Sequence, residues 1–397
     1  MGGAAMQGKG ARKASRAERY PALSGLRGLA ALGVFAMHAY ALARFPRIWP
    51  GHDAISFLLA WPMKMGWAGV DVFFTLSAFL LALPFAQAQL DGAPPPGVRG
   101  YAARRALRIL PAYALQLLVL CALMATGAAS GIISHEITAT RLLVQPLFLY
   151  DIGWPGAFAM QWPLLATWWT LPVEVGFYVL LPMFARLLRP GRWQWLLCGI
   201  AFAWCWRAGL LWTQPYSYAN DELVDHLPGR IDQFLIGMLA AYAVCRAPRV
   251  LSWVEGRRAN ALFVIAALAF VALPALGYPG GGKPVDAGPG TQPLLIGWHS
   301  YASIVVAGML IAASRNTPLL SASFGALPLR LLGRISYGLY LWHLPVLLWL
   351  KAHGGVDAAG GPLAFALYGL LFSLAAAVAS WWLVERPALR FAARCPR

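Results

Sequence analysis

The most restrictive feature of this chain is a series of long apolar runs separated by short polar segments. About ten runs are long enough to cross a bilayer, at residues 22–42, 64–84, 107–126, 167–188, 193–212, 231–246, 259–277, 295–313, 333–350 and 363–384. A bilayer offers backbone polar groups no partners, so such runs form helices. With 59% hydrophobic residues, the chain is predicted to be an all-α integral membrane protein, a bundle of about ten transmembrane helices.

The basic residues predict how these helices are oriented. A basic segment, 9–19, precedes the first run, and most of the 32 lysines and arginines fall in segments that ten crossings would place on one side. Cytoplasmic loops carry an excess of lysine and arginine, so both termini are predicted to be cytoplasmic. The expected organisation is a disordered basic tail at 1–19, a membrane domain at 20–387 and a short cytoplasmic tail at 388–397.

Charge and cysteine content exclude two other classes of function. The net charge of +17 would suggest nucleic-acid binding in a soluble protein, but no soluble basic face exists to carry it, so we expect no nucleic acid. The five cysteines show no C-x-x-C spacing, so neither a disulfide framework nor a metal site is predicted.

Two ionisable residues interrupt the first apolar run. Arg27 and His38 are eleven positions apart, which corresponds to roughly 16 Å along one helix. The preceding basic segment predicts that Arg27 lies near the inner face and His38 in the outer half. Ionisable groups inside a membrane span are costly, and they indicate a functional site.

Seven segments, in order from Tyr20 to Pro387, resemble the membrane acyltransferase 3 family. They are SGLRGLAALGVFAMHAY, GWAGVDVFFTLSAFLLA, YAARRALRILPAY, TWWTLPVEVGFYVLLPM, RIDQFLIGMLAAY, GRISYGLYLWHLPV and VERP. The chain departs from the family pattern at Ala78, where glycine is usual, and at Pro172 and Val175, which replace the usual serine and second glutamate. A tighter helix approach at Ala78 is expected to be relaxed, and Glu174 is the one acid left in its segment.

The resemblance implies a transmembrane O-acyltransferase in the bacterial cytoplasmic (inner) membrane. Its donor would be cytosolic acyl-CoA, most often acetyl-CoA, and its acceptor a hydroxyl of an extracytoplasmic or lipid-linked carbohydrate. Two alternatives stay open: a small-molecule acceptor such as a macrolide, and a proton-coupled transporter that uses the same buried histidine and carboxylates. A homo-oligomer is also left open.

For such a reaction, His38 is the candidate general base, because neutral imidazole can take a hydroxyl proton near neutral pH. Asp71 and Glu174 each lie about seven residues into a span that starts outside, at a depth similar to His38. Either carboxylate could orient the imidazole. The alternatives are a packing role for His38 and helix pairing for the two acids, for example with Arg230.

Four arginines are candidates for binding the phosphates of the donor. They are Arg27, Arg104, Arg105 and Arg108. Arg105 and Arg108 share a helical face, and arginine binds phosphate through bidentate, charge-assisted hydrogen bonds. The alternatives are that Arg27 extends to the interface and that the other three only set the topology.

The remaining candidates have weaker signals. Ser77 and Ser336 are candidate substrate contacts or an acyl-accepting hydroxyl, although helix–helix hydrogen bonding is the more common role of such serines. His343 could line the donor channel or act beside the helix kink at Pro345.

The acceptor side has two candidates. Arg230 could shape the acceptor entrance, and Trp168 could stack on a sugar ring. An aromatic interface belt is the alternative for the tryptophan.

Overall fold

The chain folds into a helical bundle, as predicted. The computed structural model describes residues 20–43, 65–128, 132, 145–148, 165–213, 224–246, 250–277 and 292–394. Its long α-helices are α1 (Pro21–Leu42), α2 (Gly69–Asp91), α3 (Val98–Ala125), α4 (Thr170–Ala185), α5 (Trp195–Thr213), α6 (Leu227–Arg246), α7 (Gly256–Gly277) and α8 (Gln292–Ala313). They continue as α9 (Pro318–Ser323), α10 (Leu327–Ala352), α11 (Gly355–Ala359), α12 (Pro362–Ser380) and α13 (Arg386–Ala392). The tail at 1–19 lies outside the described residues.

The helices fall where the apolar runs predict them. Within the described ranges, seven helices are long and apolar enough to cross a membrane. The other three predicted runs correspond to α6, α7 and α10, which have 20, 22 and 26 residues. The all-α membrane class is therefore confirmed, whereas the number of crossings and the cytoplasmic termini stay predictions.

Helix α2 lies at the centre of the bundle. In its most apolar stretch 83% of the residues are buried, against 28% for α3 and 22% for α5. Helices α1, α4, α6 and α8 all pack against α2. Apolar side chains that remain exposed on α3, α5 and α12 suit contact with lipid rather than water.

Glycines allow α1 and α10 to approach closely. A Cβ atom on Gly333 would overlap the carbonyl oxygen of Ser24, and one on Gly28 would lie 2.9 Å from the Gly333 nitrogen. Small residues permit such close packing of helix backbones in membranes. This contact brings α1, which carries Arg27 and His38, against α10, which carries His343.

Helices α2 and α6 pack closely where Ala78 of α2 faces Gly237 of α6. Ala78 is fully buried, and a Cβ atom on Gly237 of α6 would lie 2.9 Å from the Ala78 Cβ. Gly237 thus supplies the space at this crossing, where α2 carries alanine.

Prolines inside helices release carbonyl groups that then bind other helices. Pro345 has no N–H, which leaves the Leu341 carbonyl without its helical donor, and Gln116 Nε2 of α3 donates to it. Pro182 releases the Tyr178 carbonyl in the same way, and the Tyr101 hydroxyl donates to it at 3.1 Å. Both bonds fix α3 against the helices that line the site.

Candidate active site

Two histidines meet where α1 packs on α10. The Nε2 atom of His343 lies 3.2 Å from Nδ1 of His38. His38 Nδ1 is also 3.0 Å from the Val34 carbonyl oxygen, and His343 Nδ1 is 3.1 Å from the Leu339 carbonyl oxygen. Each Nδ1 therefore carries the proton, since carbonyl oxygens only accept hydrogen bonds. This pattern leaves the lone pair of His38 on Nε2, which has no hydrogen-bond partner among the described residues.

A cavity of about 90 Å³ lies between α1, α2, α3, α4 and α10, and we call it the central cavity. Its polar lining combines cations, one carboxylate and hydroxyl groups: Arg27, Arg105, Arg108, Glu174, Ser77, Thr170, Tyr178, Ser336, Tyr337 and Tyr340. The fold thus brings three of the four predicted phosphate-binding arginines to one space, together with Glu174 and both predicted serines.

Glu174 is the carboxylate of this cavity. Its Oε1 atom accepts hydrogen bonds from Ser77 Oγ at 3.0 Å and from the Tyr178 hydroxyl. The Arg105 guanidinium lies over the Tyr178 ring, 5.8 Å from its centroid. Arg27 also interacts electrostatically with Glu174. The carboxylate is therefore held rigidly among groups that can neutralise its charge.

Tyr340 connects the central cavity to the histidine pair. It lines the cavity, and its ring centroid lies 5.8 Å from that of His343. Its hydroxyl donates to the Thr167 carbonyl oxygen at 2.8 Å and is 2.9 Å from Thr170 Oγ1. The ring is thus fixed between the histidines on one side and the arginines on the other.

Asp71 belongs to a separate polar cluster, on a face of α2 that does not line the central cavity. Its Oδ1 atom accepts hydrogen bonds from Arg230 Nη1 at 3.2 Å and from Gln233 Nε2, and lies 2.9 Å from His299 Nδ1. Arg230 also pairs with Asp225 and lies 5.3 Å from the Trp169 ring centroid. The alternative of pairing with Arg230, raised from the sequence, is the contact that the structure contains.

The orientation of His38 differs from the expected arrangement. The hydrogen bonds of Asp71 go to α6 and α8, and those of Glu174 go to Ser77 and Tyr178. The His38 ring instead contacts the His343 ring. The physical reason is that equal depth in the membrane does not place two side chains on facing sides of their helices.

Three other candidate residues differ in how they relate to the central cavity. Trp168 is fully buried and donates from Nε1 to Gln116 Oε1 at 2.8 Å, so its ring packs in the core. Ser336 lines the central cavity and bonds to the Gly333 carbonyl oxygen within its own helix. Arg104 is half-buried on α3 but does not line the central cavity.

Sequence reasoning missed the tyrosines of the site. Ser336, Tyr340 and His343 follow one another at four and three residues, a spacing that puts all three on one face of α10. Tyr178 lies four residues after Glu174, one helical turn away. This helical spacing from the candidate residues was the signal in the sequence that could have identified the two tyrosines.

The geometry defines an all-α integral membrane protein with a cation-lined cavity inside the bundle. Beside the cavity lies a histidine pair in which His343 is buried and His38 is half-buried. The comparison with protein families then places the protein: residues 20–385 match the acyltransferase domain of the acyltransferase 3 family, and the chain belongs to that family. It is therefore a membrane acyltransferase.

Curated relatives are similar along most of their length. The exopolysaccharide production protein ExoZ of Rhizobium meliloti is 26% identical over 82% of this chain and 90% of its own. The protein named "Putative membrane-bound transacylase BcsY" of Komagataeibacter xylinus is 27% identical over 94% of this chain and 84% of its own. Nodulation protein 10 of Rhizobium leguminosarum is 25% identical over 81% of this chain and 82% of its own. No solved structure matches the chain.

Proposed function

We propose that this protein is an O-acetyltransferase of the bacterial cytoplasmic membrane. It transfers an acetyl group from cytosolic acetyl-CoA to a hydroxyl of a carbohydrate on the extracytoplasmic side. The observation that carries the proposal is the convergence of Arg27, Arg105 and Arg108 on one cavity, next to the histidine pair. A polyanionic donor and a base that accepts a hydroxyl proton are the two things this reaction requires.

The arginines supply the donor site. Arg105 and Arg108 lie at the end of α3 that is predicted to face the cytosol, and Arg27 lies on α1 at the same cavity. Guanidinium groups bind phosphates through several parallel hydrogen bonds. Coenzyme A would place its phosphates at this end and extend its pantetheine arm along the cavity toward Tyr340 and His343.

His38 acts as the general base. Its Nε2 atom takes the proton of the acceptor hydroxyl, and the hydroxyl oxygen attacks the thioester carbonyl carbon. A C–O bond forms, the C–S bond breaks, and the proton passes from the imidazolium to the departing thiolate. The His38 Nδ1–H is shared between the Val34 carbonyl oxygen and the lone pair of His343 Nε2. His343 thereby helps to stabilise the transient imidazolium, as the orienting member of a triad does.

Glu174 maintains the charge balance of the donor site. Its carboxylate is fixed by Ser77 and Tyr178, and it offsets part of the positive charge of Arg27 and Arg105. Without this carboxylate the arginines would repel one another at close range. We assign Glu174 to holding these cations in place around the donor.

The acceptor class is proposed from the relatives. ExoZ is named for exopolysaccharide production. A polysaccharide or its lipid-linked precursor offers hydroxyl groups at the extracytoplasmic face of the cytoplasmic membrane. The half-buried indole of Trp169 and the Arg230 cluster lie at the ends of α4 and α6 predicted to face outward. We propose that these residues contact such an acceptor.

Two measurements test the proposed function. Purified protein in lipid nanodiscs should bind acetyl-CoA, measured by calorimetry, and should release free coenzyme A when a carbohydrate acceptor is added. Mass spectrometry of surface glycans from a deletion strain should show the loss of an acetyl mass, restored by the wild-type gene. A protein that binds no coenzyme A, or a deletion strain with unchanged glycan acetylation, would contradict the proposal.

A further inference from the structure

The VERP segment near the end of the chain has no role in the proposed mechanism so far, yet its glutamate is buried beside the donor site. Glu385 is 2% exposed, and Arg108 Nη1 donates to its Oε2 atom at 3.5 Å. Ser380 Oγ donates to the other oxygen, Oε1, at 3.3 Å. A buried carboxylate with both oxygens engaged is held in one orientation.

The local backbone explains how this glutamate reaches the site. Residues Trp381–Glu385 form a π-helical turn between α12 and α13. Pro387 cannot donate the next helical hydrogen bond, and its ring crowds the carbonyl four residues earlier, which favours a wider turn just before it. Such turns occur often at functional sites because they shift a side chain out of the regular helical positions.

The opposite helix leaves room for the carboxylate. A Cβ atom on Gly338 of α10 would lie 2.9 Å from Glu385 Oε1. The neighbouring Tyr337 ring lies under Arg108, with the guanidinium 5.6 Å from the ring centroid. Arg108 is thus held by a carboxylate on one side and an aromatic ring on another, and it lines the central cavity.

We infer that Glu385 is a positioning residue for the acyl donor: it fixes the Arg108 guanidinium so that its free N–H groups face the donor phosphates. This inference rests on the proposed function. Glu385 lies behind Arg108 and not among the residues that line the cavity, so it acts through the arginine. An arginine fixed in advance loses less conformational entropy when it binds a phosphate.

A charge effect and a positioning effect of Glu385 would change the KM for acetyl-CoA in opposite directions. Replacing Glu385 by glutamine adds one unit of positive charge near the donor site. By Coulomb attraction alone, this change would lower the KM for acetyl-CoA. If Glu385 positions Arg108, the same change raises the KM, because the guanidinium is no longer fixed.

The experiment measures kcat and the KM for acetyl-CoA, and the Kd for coenzyme A, in nanodiscs. We expect Glu385→Gln to raise the KM and the Kd about five- to tenfold with kcat nearly unchanged. The variant Asp232→Asn is the matched control, since Asp232 forms a fully buried pair with Arg207 at 2.8 Å on other helices. It should reduce thermal stability without raising the KM.

A double-mutant cycle then identifies the route of the effect. The variant Arg108→Gln with Glu385→Gln should bind coenzyme A no more weakly than Arg108→Gln alone, because Glu385 has nothing left to position. This inference would be overturned, with the proposed function intact, if the KM falls or stays unchanged in Glu385→Gln. It would also be overturned if the losses of coenzyme A affinity caused by the two single substitutions add in the double variant. A wild-type protein that binds no coenzyme A would overturn both.

Discussion

His343 on α10 hydrogen-bonds His38 on α1 across 305 positions of sequence, with Nε2 of the first 3.2 Å from Nδ1 of the second. Each ring is anchored to the carbonyl oxygen four residues earlier in its own helix. The pair is therefore a fixed unit that presents His38 Nε2 as an acceptor. This relationship leads to the first two predictions.

Substitution of His38 by alanine tests its proposed role as the general base. We expect His38→Ala to lower acyl transfer about a hundredfold to ten-thousandfold, the range typical of a lost general base. Coenzyme A should still bind to the variant, because the arginines are unchanged. Calorimetry and a coenzyme A release assay on the same preparation measure both quantities. Transfer at the wild-type rate would rule out His38 as the base.

Substitutions at His343 test its orienting role. Leucine offers no acceptor to the His38 Nδ1–H, whereas the glutamine side chain carries an oxygen that can accept this hydrogen bond. We expect His343→Leu to lower kcat about tenfold or more, and His343→Gln to lower kcat clearly less. The KM for acetyl-CoA should change little in either. Equal losses in the two variants would indicate that His343 only fills space.

The arginine pair on α3 distinguishes donor binding from topology. We expect Arg105→Ala with Arg108→Ala to raise the KM for acetyl-CoA more than it lowers kcat. The matched control is Arg257→Ala with Arg258→Ala, which removes two exposed arginines at the start of α7, on the same predicted side. The control should leave the KM unchanged. A double α3 variant that is impaired only in membrane insertion would show that its arginines are topological.

The close approach of α1 and α10 makes a stability prediction. A methyl group on Gly333 would overlap the Ser24 carbonyl oxygen, so Gly333→Ala should destabilise the protein by about 1–3 kcal/mol or more and separate the histidines. A Cβ on Gly297 of α8 meets nothing within 4 Å, so Gly297→Ala serves as the control and should be neutral. Thermal unfolding in nanodiscs compares the two. Equal melting temperatures would contradict the close packing.

Gln116 makes a second stability prediction. Its amide donates to the Leu341 carbonyl released by Pro345 and accepts from Trp168 Nε1. Replacement by leucine removes both hydrogen bonds and leaves the Leu341 carbonyl without this donor, at a cost of about 1–3 kcal/mol. We expect Gln116→Leu to lower the melting temperature, whereas Gln87→Leu, at an exposed position on α2, should not. A stable Gln116→Leu variant would contradict the assigned bonds.

Hydropathy predicted the helices because a membrane span needs a long apolar stretch. The predicted run at 333–350 corresponds to α10, which extends over Leu327–Ala352. The run at 107–126 began too late, since α3 starts at Val98. Hydropathy detects the apolar part of a helix, whereas arginines such as Arg104 and Arg105 form helix readily and continue it beyond the apolar core.

The candidate site was predicted in part for a similar reason. Charged residues in apolar runs are conspicuous, so Arg27, His38, Asp71 and Glu174 could be selected directly from the sequence. Tyr178 and Tyr340 were missed because tyrosine is common in membrane helices and its role depends on what its hydroxyl faces. Glu385 was noticed only as part of a motif.

The sequence by itself determined that this chain is a helical membrane protein, which residues its spans can least tolerate without a function, and which family it resembles. Only the tertiary structure decided that His343 contacts His38, that Glu174 joins the arginines, and that Asp71 joins Arg230 instead. The physical reason is that hydrophobicity acts along the chain and sets the depth of each residue in the membrane. Which side chains meet at that depth depends on helix rotation and close packing, and these are properties of pairs of helices.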